Sequence, residues 1–292
     1  MSQYEHDNNP IILPRTEDGF VLGLRRDMED RTALLAFQAP RLNLGKIDID
    51  SLPTSMGVAE WMQIEFQMSV GSCQGHAQTS CLELAAYHQT GKVTQYNRMF
   101  AYLASQKVDG INGDNGSTMS GGAKSASTNG IPYEADWPYL GYYPRGGHRA
   151  IPEALWAKAK GTLLGGYRVL SSYDEALQWL ANKVGGVAIG IDWNSSMEPD
   201  GNGCVRQYRR GGGGHALALL DWNKQFRDPQ GRPYLDMFNS HGKKYGYRGR
   251  AFILPSIVDY WCQNMDVIGY GLLEGNEIKP KKFDWTSGKF YV

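Results

Sequence analysis

Gln67-Met-Ser-Val-Gly71-Ser72-Cys73 is the stretch on which the fold turns. A glycine-containing turn leads into Cys73, and the residues beyond it carry a helical pattern. Ala77, Cys81, Leu84, Ala85 and His88 recur at 3/4 spacing, and Gly91 supplies the stop, which predicts a helix from Cys73 to about Thr90. A thiol on the first turn of a helix meets the positive end of the dipole and unpaired backbone N–H groups. Both favour thiolate, the nucleophilic form. The turn also frees the Cys73 N–H for a developing oxyanion, and Gln67, six residues upstream, offers a second donor from its side-chain amide.

A thiolate nucleophile needs a base, and the base an orienting partner. His215 follows four glycines, Gly211 to Gly214, and opens the apolar run Ala216–Leu220. A histidine at that strand mouth either faces a cleft or belongs to a plain glycine-rich hairpin. Asn239 ends a second apolar run, Tyr234–Phe238. Its amide oxygen is placed to accept from the His215 ring, unless it is only a turn residue. His76, one turn after Cys73, is a rival base or a packed core position. Cys81 falls on the buried stripe of the first helix. Cys204 and Cys262 read as structural, with their exposure left open.

The 292 residues carry 30 Lys+Arg against 30 Asp+Glu, so no net charge steers the chain toward nucleic acid, and the short basic stretch Arg206–Arg210 does not change that. At 41% hydrophobic the chain is not disordered, and no run of about 18 apolar residues predicts a membrane span. The start MSQYEHDNNP shows no secretory pattern. Four cysteines without CxxC or zinc-ligand spacing predict reduced thiols, no metal and no cofactor. Together these features predict a soluble cytoplasmic protein.

The pattern divides the chain into an N-terminal extension (1–50), a helical lobe with the nucleophile (51–160), a β-rich lobe with His and Asn (161–275) and a C-terminal tail (276–292). In the first lobe Thr94 is expected to cap a second helix through Lys107, and a third runs from about Thr118 to Thr128, ending near Gly130. The Asp109–Ser117 loop hints at a calcium site through Asn112, Asp114 and Gly116, but lacks the closing Glu and reads as a turn-rich loop. In the second lobe Ser172-Tyr-Asp-Glu175 is a capping box for a helix Ala176–Val184. Val187–Asp192, Ala216–Asp221, Tyr234–Phe238 and Ala251–Leu254 read as strands.

Taken in order, these segments resemble the papain-like (C1) cysteine peptidases over roughly residues 50 to 265. Gln67…Gly71-Ser72-Cys73 is similar to the nucleophile segment. Ser120-Gly121-Gly122, Gly130-Ile131-Pro132-Tyr133-Glu134 and Trp137-Pro138-Tyr139 resemble the family's Gly-Gly…Gly-Ile…Glu…Tyr-Pro-Tyr stretch. Gly214-His215-Ala216 is similar to its His strand, and Asn239-Ser240-His241-Gly242 with Tyr245-Gly246-Tyr247 to its Asn-Ser-Trp-Gly segment. Tyr96–Tyr102 and Leu254-Pro255 resemble the bacterial and archaeal branch. The resemblance implies an α+β, two-lobed papain-like fold, with a helical first lobe, an antiparallel β-barrel-like second lobe and a cleft between them. It also implies cleavage of peptide or isopeptide bonds through a thioester. Cys73 would be nucleophile, His215 base and then acid, Asn239 the orienter, and Gln67 the oxyanion donor. Gly121, Gly122 and Gly214 would bind the substrate backbone, and the partner would be a peptide or protein.

The departures are specific. Gln74 stands where the family has an aromatic, and His241 where a tryptophan shields the Asn–His bond; that loss is expected to admit water there. Val70 and Met119 replace a cysteine pair of the first lobe. No inhibitory propeptide is evident in the first 50 residues, which are expected to pack on the second lobe or hold a protein partner. The tail, with Phe283, Trp285, Phe290 and Tyr291, is a second docking candidate. These features leave open a catalytically weak structural or interaction module, with a bacteriophage virion as one setting.

Overall fold

The computed structural model describes residues 14–17, 19–25 and 47–274, and the backbone of 282–284 and 289–291. Its centre is helix α1, Cys73–Thr90, as the spacing predicts. Ser72 stands at its N-cap position but spends its hydroxyl on Tyr139, 2.8 Å away, instead of capping the helix. Gly91 closes the other end in the left-handed region at φ 72°. Nearly every residue of α1 is buried, including Gln74, Gln78, Glu83 and Gln89, because both lobes pack against it.

Helix α2 spans Arg98–Asp109 and is capped by Asn97, whose Oδ1 accepts from the Phe100 N–H at 2.7 Å. The expected cap, Thr94, lies outside it, because Asn97 is in the extended conformation that a cap requires. Helix α3, Met119–Asn129, is capped by Thr118 and stops at Gly130, close to expectation. Helix α4, Glu153–Ala159, completes the helical lobe.

The second lobe is built on a seven-stranded sheet, ordered β1-β7-β2-β4-β5-β6-β3. The strands are β1 Leu163–Val169, β2 Val187–Trp193, β3 Cys204–Val205, β4 Gly213–Arg227, β5 Pro233–Phe238, β6 Arg250–Ile253 and β7 Asp266–Glu274. All neighbours are antiparallel except β3 and β6. Helix α5, Tyr173–Ala181, starts one turn earlier than the sequence reading placed it, because Ser172 caps it through the Glu175 N–H. Helix α6, Pro255–Asn264, begins with proline at its first position, where no N–H is needed. The tail adds a two-stranded ladder of β8, Lys282–Asp284, and β9, Lys289–Tyr291. The side chains of Phe283, Phe290 and Tyr291, and Trp285 as a whole, lie outside the described residues. No described helix is long and apolar enough to cross a membrane.

The sheet sets the site. Antiparallel β2 and β4 pair Ile191 with His215 and Gly190 with Ala216, so the histidine opens a buried strand directly opposite α1. Asn239 follows β5, the other neighbour of β4, which brings it alongside His215.

Candidate active site

Cys73 is the first residue of α1 and fully buried, and the backbone amides of Ala216, Gly23, Gln74 and Cys73 itself lie close enough to hydrogen-bond its sulfur. His215 Nε2 meets Asn239 Oδ1 at 2.8 Å, which leaves Nδ1 as the other working nitrogen. That Nδ1 is buried with no hydrogen-bond partner. Gln67 is held by Ser240, whose hydroxyl donates to Gln67 Oε1 at 2.6 Å, while its Nε2 donates one proton to Val70 O at 2.9 Å and keeps a second to give. The structure thus pairs His215 with Asn239, ties Gln67 to Ser240 beside Asn239, and sets the Ala216 amide, next to His215 in the chain, against the Cys73 sulfur.

Asp114 was read from sequence only as part of a turn. Its carboxylate accepts from the Gly71 N–H at 3.0 and 3.2 Å and from the Tyr102 hydroxyl at 2.8 Å. It therefore pins the turn that presents Cys73, across 43 residues of chain that no local pattern announces. Among the described residues no group of three or more His, Cys, Asp or Glu side chains is placed to hold a metal ion.

Two expectations are corrected, and one point left open is decided. Gly121 and Gly122 do not line the cleft: both lie inside α3 and are buried. A Cβ on Gly121 would meet Asp109 Oδ1 at 2.1 Å, and one on Gly122 would meet Gln74 Nε2 at 1.8 Å, so these glycines serve close helix packing. The cleft wall is instead Gly116–Ser117, as its backbone bonds show below. Second, the His215–Asn239 bond is dry without a tryptophan at 241. His241 stacks on His215 at 4.4 Å, Phe20 stacks on the outer face of His241 at 4.4 Å, and Trp193 sets its ring against both histidines. Third, Cys204 and Cys262 are both buried, and all four cysteines are free.

The third ring in that stack, Phe20, belongs to the N-terminal segment, and this segment occupies the cleft. Residues 14–17 and 19–22 pair antiparallel, with Leu22 N–H donating to Pro14 O and a bridge between Arg15 and Val21. Beyond it the chain crosses the site. Val21 O accepts from Gln67 Nε2 at 2.9 Å. Gly23 O accepts from Ser117 N–H at 3.1 Å, Arg25 N–H donates to Ser117 O at 2.9 Å, and Leu24 N–H donates to Gly214 O at 2.9 Å. The strap is therefore bonded to both walls, running parallel to the chain at Ser117. Close approach is possible only because glycines meet: a Cβ on Gly23 would sit 2.0 Å from Gly71 O, and one on Gly116 1.8 Å from Gly23 O. Gly214 lies against the strap, its carbonyl accepting from the Leu24 N–H.

This burial decides the electrostatics. Desolvation pushes the Cys73 thiol up to about 11 despite the nearby amides, and pushes the His215 imidazole down to about 4 despite its bond to Asn239. With the thiol above the imidazole, the neutral pair prevails at pH 7. The thiol is an acid whose pKa is raised, so thiolate forms only as the pH climbs toward that value.

Beneath the site lies a buried ionic cluster. Arg98 contacts Glu65 at 2.5 Å, Glu83 at 3.1 Å and Glu134 at 3.4 Å. Burial alone would raise Glu65, but the His76 hydrogen bond and the Arg98 charge outweigh it and hold that carboxyl at about 2. Burial wins at Glu83, which rises to about 8 and stays protonated at neutral pH. Arg98→Ala would strand the Glu65 charge, and urea denaturation should show a loss of about 3–5 kcal/mol.

No protein-family model matches this chain, and no curated protein matches its sequence. Solved structures do match in fold. Xylellain, a cysteine protease from Xylella fastidiosa, superposes with a TM-score of 0.69 at 18% identity, over 91% of this chain and 100% of that one. Digestive procathepsin L 3 of Tenebrio molitor gives 0.57 at 18% identity, over 83% and 79%. The bromelain protease from Ananas comosus gives 0.54 at 16% identity, over 76% and 100%. At such identities the likeness is one of fold, and the fold is papain-like α+β.

Proposed function

We propose that this chain is a papain-like thiol peptidase held latent by its own residues 20–25. What supports the reading is the His215–Asn239 bond beside the Ser240-anchored Gln67, with the Ala216 amide that follows His215 in the chain close to the Cys73 sulfur at the start of α1. With the strap withdrawn, water reaches the pair and relieves the desolvation that keeps it neutral. His215 Nδ1 then takes the Cys73 proton. The thiolate attacks a peptide carbonyl carbon, forming the C–S bond and pushing the π electrons onto oxygen. Gln67 Nε2 and the Cys73 N–H receive that oxyanion. The oxyanion collapses, His215 gives its proton to the leaving amine, and a thioester remains. His215 next deprotonates water, which hydrolyses the thioester and regenerates the thiol. Substrates are peptides that replace the strap's bonds to Ser117 and Gly214 with their own.

The test is hydrolysis of a fluorogenic peptide library by the strap-released chain. Gln67→Ala is expected to lower kcat by about 10²–10³-fold, the usual cost of one oxyanion donor. An unchanged kcat would remove Gln67 from the mechanism.

A further inference from the structure

His76 has no part in the chemistry above, yet it lies directly beneath it. Its Nδ1 meets Glu65 Oε2 at 3.0 Å, and Tyr139 sets its ring edge-on to it at 4.8 Å. Its Nε2 is buried with no hydrogen-bond partner, and so is Nδ2 of Asn239. Both residues line one cavity of about 10 Å³ between α1 and the β4–β5 pair, with Glu65, Ala216 and Ser240 also on its wall. Room of that size takes one water, provided two or more polar groups hold it. The polarity of the two groups fits. Glu65 is tied to Arg98 through both carboxylate oxygens and can only accept, so Nδ1 of His76 donates, and in the neutral ring Nε2 then presents a lone pair. The Asn239 amide nitrogen can only donate.

We propose that a single water in this cavity joins His76 to Asn239, making His76 a positioning residue that fixes the Asn239 amide with its oxygen toward His215. The inference rests on the reading of His215 and Asn239 as the working pair. It yields one directional chain: His76 Nδ1–H to Glu65, water O–H to His76 Nε2, Asn239 Nδ2–H to water, and His215 Nε2–H to Asn239 Oδ1. A flipped amide would set its N–H₂ against the His215 N–H, donor against donor. A plain aromatic at position 76 would leave Nδ2 of Asn239 a buried donor with nothing to meet.

The test uses the full-length chain, labelled with ¹⁵N-histidine, and follows exchange of the His215 Nε2 proton with solvent by NMR. His76→Phe is expected to speed that exchange about fivefold, the weight of one neutral hydrogen bond. His76→Gln, which keeps an acceptor, is expected to restore most of the protection. Equal exchange in wild type and His76→Phe, or no rescue by glutamine, would overturn the proposal. A high-resolution crystal structure of the unaltered chain decides the same point without a variant. A water within hydrogen-bond distance of both His76 Nε2 and Asn239 Nδ2 supports it, and a dry cavity overturns it. Neither readout needs turnover, so a chain inert toward every peptide would refute the peptidase reading without imitating failure of this one.

Discussion

Gly23→Val is expected to make Cys73 react with iodoacetamide about ten to a hundred times faster than in the unaltered chain at pH 7.5. The argument is steric. A Cβ on Gly23 would lie 2.0 Å from Gly71 O and 2.5 Å from Gly71 C, which are backbone atoms of the turn that presents the nucleophile. That turn is pinned by Asp114 and cannot give way, so the strap must lift. Lifting exposes Leu24, now 8% exposed, and breaks the bonds to Gln67, Ser117 and Gly214. One buried leucine is worth about 1.5–3 kcal/mol, or roughly ten- to a hundredfold in the open fraction. Leu24→Glu should act in the same direction by a different route, since it buries a charge against Gly190 and Met119. An alkylation rate unchanged in both variants would mean that the strap does not control access to the thiol.

The second large effect is loss of the base. In the Gly23→Val background, His215→Ala is expected to cut kcat/KM for peptide hydrolysis by at least about 10⁴-fold, and Cys73→Ala by a similar factor. The double replacement should cost no more than either single one, because nucleophile and base act as a unit. Circular dichroism should show the variants folded: the His215 side chain contributes one hydrogen bond and ring stacking, not a helix or strand. A purely structural protein on this fold would show no hydrolysis for these replacements to remove.

The pairing of His215 with Asn239 and the helix that begins at Cys73 were legible because the residues sit in short local patterns. A turn before a helix, a histidine at a strand mouth and an asparagine at a strand end each carry a physical rationale, and β2, β4 and β5 bring them together. Helix α1 was legible to the residue from its spacing and Gly91. Other features escaped for identifiable reasons. Strand β7 lies inside the sheet between β1 and β2, but Gly269 and Gly271 interrupt its apolar run to let Trp179 pack on the strand. Gly121-Gly122 satisfied a motif by its letters, whereas the cleft wall is defined by backbone that points outward, at Gly116–Ser117. The His241 stack needed Phe20, more than 200 residues away, and the strap shows no periodicity because glycine contacts and isolated bridges hold it. Long-range pairing of this kind leaves no trace in a window of sequence.

The account stands on Cys73 being a thiol activated by His215 once the cleft is open. The most direct test is to expose the Gly23→Val chain to an epoxide inhibitor of papain-type enzymes and locate the adduct by mass spectrometry. The account predicts modification of Cys73 alone, with Cys81, Cys204 and Cys262 untouched, and its disappearance when His215→Ala is added. Labelling of Cys73 that is no faster than that of the other three cysteines, or that survives the loss of His215, would contradict it.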